Sequence, residues 1–157
     1  AFYGRIKLDD LNSERGYSRY LAYGQSKLAN VLFAFELQRR LEQAGAPVMS
    51  LTAHPGFADT NLQRTTVASS GHGWEGRLYD FLRGFIFQSG AMGALPQLYA
   101  ATSPDARGGE LYGPTILHSR GDPTRLRMFG ICYDRAIGVR LWQVSEQMTG
   151  VDYAALG

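Results

Sequence analysis

Tyr23 and Lys27 stand four residues apart in the run Ala22-Tyr23-Gly24-Gln25-Ser26-Lys27-Leu28-Ala29-Asn30, at the start of a long helical pattern. Four residues is just over one helical turn, so the two side chains share a face. A phenol beside an ammonium is a proton donor whose anionic form the cation favours. Such a pair suits the protonation or deprotonation of an oxygen while a carbonyl and an alcohol interconvert. The motif is short. With 9 tyrosines among 157 residues, and lysine only at 7 and 27, chance supplies about 0.1 such pairs. A second match, Tyr3 to Lys7, lies in an irregular opening segment beside Gly4 and the Asp9-Asp10 pair. No helix aligns it, and it is read as a decoy. On spacing alone, the plainer reading of Tyr23 and Lys27 is a surface phenol and a solvated amine.

The elements that must position this pair follow from periodicity. Residues 1–19 are polar and irregular and read as a loop. From Tyr20 to Gln43, Leu28, Val31, Leu32, Phe35 and Leu41 recur at helical spacing and form one apolar face, and Gly45 with Pro47 stops the helix. Val48 to Ala53 reads as a buried strand closed by His54-Pro55-Gly56. Residues 57–73 form a polar loop, and Trp74 to Phe87 suits a helix. Ser89-Gly90 opens another helix that runs toward Pro104. Glu110 to Pro114 reads as a short strand, 115–131 as a loop, and Asp134 to Met148 as a last helix ended by Thr149-Gly150. This alternation predicts an α/β fold with a parallel sheet covered by helices. Two strands do not make a stable open sheet, so the fold is expected to be incomplete as given, with helix faces that need a partner surface.

Pro55 and Gly56 would sit at a strand's C-terminal end, where open parallel sheets bind ligands. Gly56 lets the backbone approach a ligand, and Thr60 offers a hydroxyl to an amide or phosphate. The commoner use of Pro-Gly is a plain turn. His54 suits a general base by type, but a lone histidine near a strand end is more often structural. His72, His118 and Cys132 lack metal-ligand spacing, so no metal is expected. Ser69-Ser70 has no acid or base nearby and makes a weak nucleophile candidate. The aromatic residues between 61 and 87, among them Trp74, Tyr79, Phe81 and Phe85, suit either a lid over an apolar substrate or core packing.

Composition narrows the class. The chain is 45% hydrophobic and 19% charged, with a formal net charge of +2, which describes an ordinary globular protein. The basic residues are scattered, so no nucleic-acid track is expected. One cysteine excludes an internal disulfide and fits a reducing, cytoplasmic setting. No stretch reaches the roughly 20 apolar residues of a membrane span.

The run from Tyr23 to Asn30 resembles the active-site helix of the short-chain dehydrogenase/reductase family, in particular its retinol dehydrogenase-like and WW-domain oxidoreductase-like branch. Four further segments match that branch in order. They are Leu8-Asp9-Asp10-Leu11, His54-Pro55-Gly56 with Thr60, Gly108-Gly109-Glu110-Leu111-Tyr112-Gly113-Pro114, and Leu141 to Gly150 (LWQVSEQMTG). The resemblance implies that residues 1–157 are the C-terminal part of a single Rossmann-type domain, a doubly wound parallel sheet. It implies hydride transfer with NAD or NADP, NADP being favoured, between a carbonyl and an alcohol, and the apolar lid expected over 61–87 suggests a small lipophilic or aromatic substrate. Tyr23 would be the general acid or base. Lys27 would bond the nicotinamide ribose and lower the phenol's pKa. Pro55 and Gly56 would lie against the nicotinamide, and Thr60 would bond its carboxamide or the cofactor phosphate. The family's Gly-rich turn, Asn-Ala-Gly segment and catalytic Ser have no counterpart here. The chain is therefore expected to begin just after that Ser and to be inactive alone, acting with an N-terminal half or as a homo-oligomer. The alternative is a non-catalytic, truncated protein that acts through self-association or partner binding, with the apolar face of residues 28–41 as its surface.

Overall fold

The computed structural model describes residues 4–57 and 88–154. In chain order these form helix α1 (Arg19–Gln43), strand β1 (Thr52–Ala53), helix α2 (Gly90–Thr102), strands β2 (Leu111–Ile116) and β3 (Arg120–Leu126), a 3-10 turn (Gly130–Tyr133) and helix α3 (Arg135–Thr149). The mixed α/β class is the one the alternation predicts. The helix expected over 74–87 and the substrate lid expected over 61–87 lie outside the described residues. The chain divides into two compact units. One gathers Ala1–Thr52, Arg107–Gly109 and Met128–Gly157, and the other Ala53–Ala106 and Glu110–Arg127.

In the first unit, α1 buries the stripe its periodicity marks. Leu28, Val31 and Leu32 pack with Cys132 and Leu141, and Ile6, Leu8, Leu11, Phe35, Ile131 and Ile137 close around them. The apolar face expected to need an outside partner is thus filled by α3, the 3-10 turn and the opening segment. That removes the surface on which the self-association reading rested. Helix α1 ends in a Schellman motif: Gly45 is left-handed at φ +65°, its N–H donates to the Glu42 carbonyl at 3.1 Å, and the Ala46 N–H donates to Leu41 at 2.9 Å. Helix α3 is capped at both ends, by the Asp134 carboxylate accepting from the Ile137 N–H at 3.1 Å and by left-handed Gly150.

The strand expected from Val48 to Ala53 shrinks to Thr52–Ala53. Val48 and Met49 are exposed, and the hydrogen bonds of this stretch go elsewhere. The Ser50 N–H donates to the Gln38 side-chain carbonyl at 2.7 Å, and the Ser50 carbonyl accepts from the Gly109 N–H at 2.7 Å. A side chain and a loop amide take the partners a ladder would have used.

Helix α1 also buries a charge. The Glu36 side chain is 2% exposed and accepts from Arg39 Nε at 2.8 Å and from Arg40 Nε at 2.9 Å. Burial alone would raise its pKa, but the hydrogen bonds and positive charge of Arg39 and Arg40 outweigh burial and leave it lowered. The Arg40 guanidinium lies 4.5 Å from the centre of the Trp142 ring, which also stacks on Phe33 at 4.8 Å. The Trp142 indole N–H donates to the Glu146 carboxylate at 2.6 Å. One carboxylate thereby fixes two arginines, and one of these seats the tryptophan of α3.

The three strands form one sheet in the order β1-β2-β3, with Ala53 of β1 and all of β2 and β3 in the second unit. Strands β2 and β3 are antiparallel, with Leu111 opposite Leu126 and Pro114 opposite Pro123. The reading of 115–131 as a loop is corrected here. Arg120–Leu126 (RGDPTRL) carries no apolar alternation, because it is mostly solvated and pairs through its backbone. The hairpin turns through Leu117 and His118, both at positive φ, with the Ser119 N–H donating to the Ile116 carbonyl at 2.9 Å. This is the pattern of a type I′ turn, without its usual Asn-Gly signal. Helix α2 starts at Ser89, whose hydroxyl accepts from the Met92 N–H, and Tyr99 packs on Tyr112 of β2.

Removing one member of a buried ion cluster strands the others. Glu36→Ala is expected to destabilise the fold by about 3 kcal/mol, read from the urea midpoint. A loss below about 1 kcal/mol would place the pair among surface ion pairs of little consequence.

Candidate active site

Tyr23 and Lys27 do share one face of α1. Lys27 Nζ lies 5.5 Å from the centre of the Tyr23 ring, and the Tyr23 side chain is 49% exposed. Two of the three residues between them turn inward, and Ser26 is exposed. Gly24 and Gln25 are buried, and Leu28 is fully buried. The Ser26 hydroxyl donates back to the Tyr23 carbonyl at 2.8 Å. The motif therefore straddles the boundary of the fold, with a half-exposed phenol, a partly buried ammonium and an anchor facing in.

That anchor escapes a reading centred on Tyr and Lys. The Gln25 side-chain carbonyl accepts from the Lys7 N–H at 2.9 Å, and its amide donates to the Leu11 carbonyl at 3.0 Å. Gly4 lies so close to α1 that a Cβ there would come within 2.7 Å of the Gly24 carbonyl oxygen. The opening segment is irregular, as expected, but it is strapped to the helix. The available signal was a glutamine on the inward side of the helix, where an amide has to find backbone partners.

The second unit contains the His54-Pro55-Gly56 turn. Gly56 is left-handed, at φ +66°, and a Cβ there would lie 2.2 Å from the Ser119 carbonyl oxygen and 2.7 Å from Pro114 Cγ. Its glycine is required by the β2–β3 hairpin, which supports the plain-turn reading of this residue. Buried Gln88, not singled out from sequence, ties the turn down. Its side-chain amide donates to the Pro55 carbonyl at 2.8 Å, its backbone N–H donates to Phe57, and its side-chain carbonyl accepts from the Gly121 N–H at 3.0 Å. Thr60, Ser69, Ser70 and His72 lie outside the described residues.

His54 is held as a neutral ring. Its Nδ1 accepts from the Gly56 N–H at 3.1 Å, and the ring packs over Gly113. Burial, then the nearby His118, lower its pKa from 6.5 to about 4. The structural reading of His54 gains from this, and the general-base reading loses.

Cys132 is fully buried, and burial pushes its thiol pKa up. Among the described residues, no three His, Cys, Asp or Glu side chains gather as metal ligands, and no helix is long and apolar enough to cross a membrane. A cavity of about 290 Å³ is lined by Phe35, Glu36, Arg39, Tyr133 and Arg135 among others. Neither Tyr23 nor Lys27 lines it.

A histidine with a depressed folded pKa contributes stability that is present at neutral pH. The contribution falls as pH drops from about 6.5 toward about 4, because only the unfolded chain takes up the proton in that window. The urea midpoint should therefore decline on acidification by more in the unaltered protein than in His54→Asn, whose amide can still accept from Gly56 but does not titrate. Equal declines would show that His54 does not set this dependence.

No family model matches the chain. It is 37% identical over 150 residues to polyprenol dehydrogenase of Mus musculus, covering 95% of this chain and 41% of that protein. It is 34% identical over 155 residues to retinol dehydrogenase 14 of Mus musculus, with the same shares covered. A crystal structure of an uncharacterized protein from Mycobacterium Paratuberculosis superposes with a TM-score of 0.71 at 38% identity, over 96% of this chain and 47% of that one. The chain thus spans about two fifths of the length of the curated relatives it matches. Over that length the chain, with Tyr23 and Lys27 on one face of its long helix, is similar to oxidoreductases of the short-chain dehydrogenase/reductase family.

Proposed function

We propose that the enzyme carrying this chain is an NAD(P)-dependent oxidoreductase that interconverts an alcohol and a carbonyl, with Tyr23 as its proton donor and acceptor. The observation that carries this reading is the Tyr23–Lys27 pair, held on one face of α1 with the phenol half exposed and with Gly24 and Gln25 between them buried. A bound nicotinamide cofactor supplies the hydride in reduction and accepts it in oxidation. In reduction the Tyr23 phenol gives its proton to the carbonyl oxygen, and in oxidation the phenolate takes the alcohol's proton. Lys27, one turn along, stabilises the negative charge that develops on the phenolic oxygen.

The residues fit the nicotinamide-ribose end of such a cofactor. Tyr23 and Lys27 carry a hydroxyl and an ammonium on one face of α1, suited to a ribose diol. The proposal extends to Pro55, Gly56 and Thr60 as the groups that take the nicotinamide side, and to NADP ahead of NAD. The chain contains no Gly-rich phosphate turn, so in this reading the pyrophosphate is held by other parts of a longer polypeptide. The relatives named polyprenol dehydrogenase and retinol dehydrogenase support a lipophilic alcohol or aldehyde as the substrate class.

In the full-length enzyme, Tyr23→Phe removes the transferable proton and keeps the ring. Turnover should fall at least about 100-fold, while cofactor affinity, read by fluorescence titration, stays within a few-fold. Turnover near that of the unaltered enzyme would remove Tyr23 from the role.

A further inference from the structure

We infer that Gln25 is a positioning residue for Tyr23, acting through a strap that grips α1 just past its uncapped start. The inference rests on the proposed role of Tyr23. It starts from how poorly the helix begins. Ser18 makes no side-chain cap bond, and the first turn carries no acidic residue. The first four backbone N–H groups of a helix need outside partners, and an uncapped end frays. Tyr20, Leu21 and Tyr23 are all substantially exposed, so side-chain burial does little to hold this turn. Gly24 and Gln25 are the first residues of α1 that are buried.

Gln25 is 7% exposed and uses both ends of its amide, accepting from Lys7 at 2.9 Å and donating to Leu11 at 3.0 Å. The segment it grips is itself anchored, since Ile6, Leu8 and Leu11 pack against the core cluster. Beside the grip, Gly4 presses on the backbone of Gly24, next to Tyr23 in the chain. The backbone that carries Tyr23 is thus held at its second turn by two hydrogen bonds and a glycine contact. Small misplacement of a reacting group costs rate steeply, and Tyr23 depends on this backbone for its placement.

The far end of the same helix provides a matched control. Gln38 is also buried and also grips backbone, accepting from the Ser50 N–H at 2.7 Å. It lies four turns from Tyr23.

The test uses the full-length enzyme and four variants. Gln25→Met keeps the side-chain volume and removes both hydrogen bonds. Gly4→Ala pushes the strap off Gly24 without altering α1. Gln38→Ala is the control, and Tyr23→Phe reports on the underlying reading. We expect kcat to fall about 10- to 100-fold in Gln25→Met and Gly4→Ala, with KM for substrate and for cofactor changed less than about threefold. Hydrogen exchange of the amides of residues 19–24 should quicken in both. Gln38→Ala should lower the melting temperature and leave kcat per folded molecule unchanged. If Gln25→Met and Gly4→Ala keep kcat within threefold, or if Gln38→Ala loses as much, the positioning role is overturned while the role of Tyr23 stands. If Tyr23→Phe keeps its turnover, the functional reading falls, and the inference with it.

Discussion

The burial of one stripe of α1 is the constraint on which the first unit depends. Leu28, Val31 and Leu32 are each no more than 3% exposed, and burying side chains of this kind is worth roughly 1.5–3 kcal/mol apiece. Every other feature of the helix must accommodate that face. Glu36 falls on the same side, one turn beyond Leu32, so its charge goes inside with the leucines. A lone buried carboxylate would cost several kcal/mol. Arg39 and Arg40 offset this cost from the adjoining turn of the same helix. Arg40 then covers Trp142, and so the apolar stripe and the ionic cluster seat α3 together.

Buried amides solve a different problem. Long irregular stretches leave backbone N–H and carbonyl groups without ladder partners, and buried ones must be paired. Gln25, Gln38 and Gln88 each take up this task at a separate place. Gln25 grips residues 7 and 11, Gln38 grips Ser50, and Gln88 grips residues 55, 57 and 121 through side chain and backbone. A glutamine suits this because it donates and accepts from one planar group. Gly108 shows how tightly the fit is drawn, since a Cβ there would come within 2.3 Å of the Gln38 amide.

What was legible in the sequence follows the same division. Helices α1 and α3 and the start of α2 were readable because apolar spacing and local caps at Ser89, Asp134 and Gly150 write them into neighbouring residues. The Tyr23–Lys27 pair was readable because helical spacing alone puts the two on one face. Strand β3 was not, because a solvated strand with Gly121 and Pro123 is specified by its partner β2 rather than by its own pattern. The Val48–Ala53 strand was overread for the converse reason: its residues are strand-like, but Ser50 is bonded to Gln38 and Gly109. The inward face of α1 marks Gln25 as needing partners, but which backbone groups the glutamines grip was not readable, because those partners are 12 to 33 residues away.

The two units also separate two meanings of a motif. In Pro55-Gly56 the unusual backbone is explained by the fold itself. The left-handed glycine faces the Ser119 carbonyl and leaves no room for a side chain, so a ligand is not needed to account for it. In Tyr23-Gly24-Gln25-Ser26-Lys27 the fold accounts for the middle of the motif and not for its ends. Gly24 and Gln25 are where they are because Gly4, Lys7 and Leu11 require them. Tyr23 is half exposed, one turn from Lys27, and neither belongs to the buried core cluster of the described residues. A constraint from the fold that stops at Gln25 leaves the two ends of the motif without a packing role of that kind, and that asymmetry supports the proposal that places Tyr23 and Lys27, ahead of the turn, at the centre of the site.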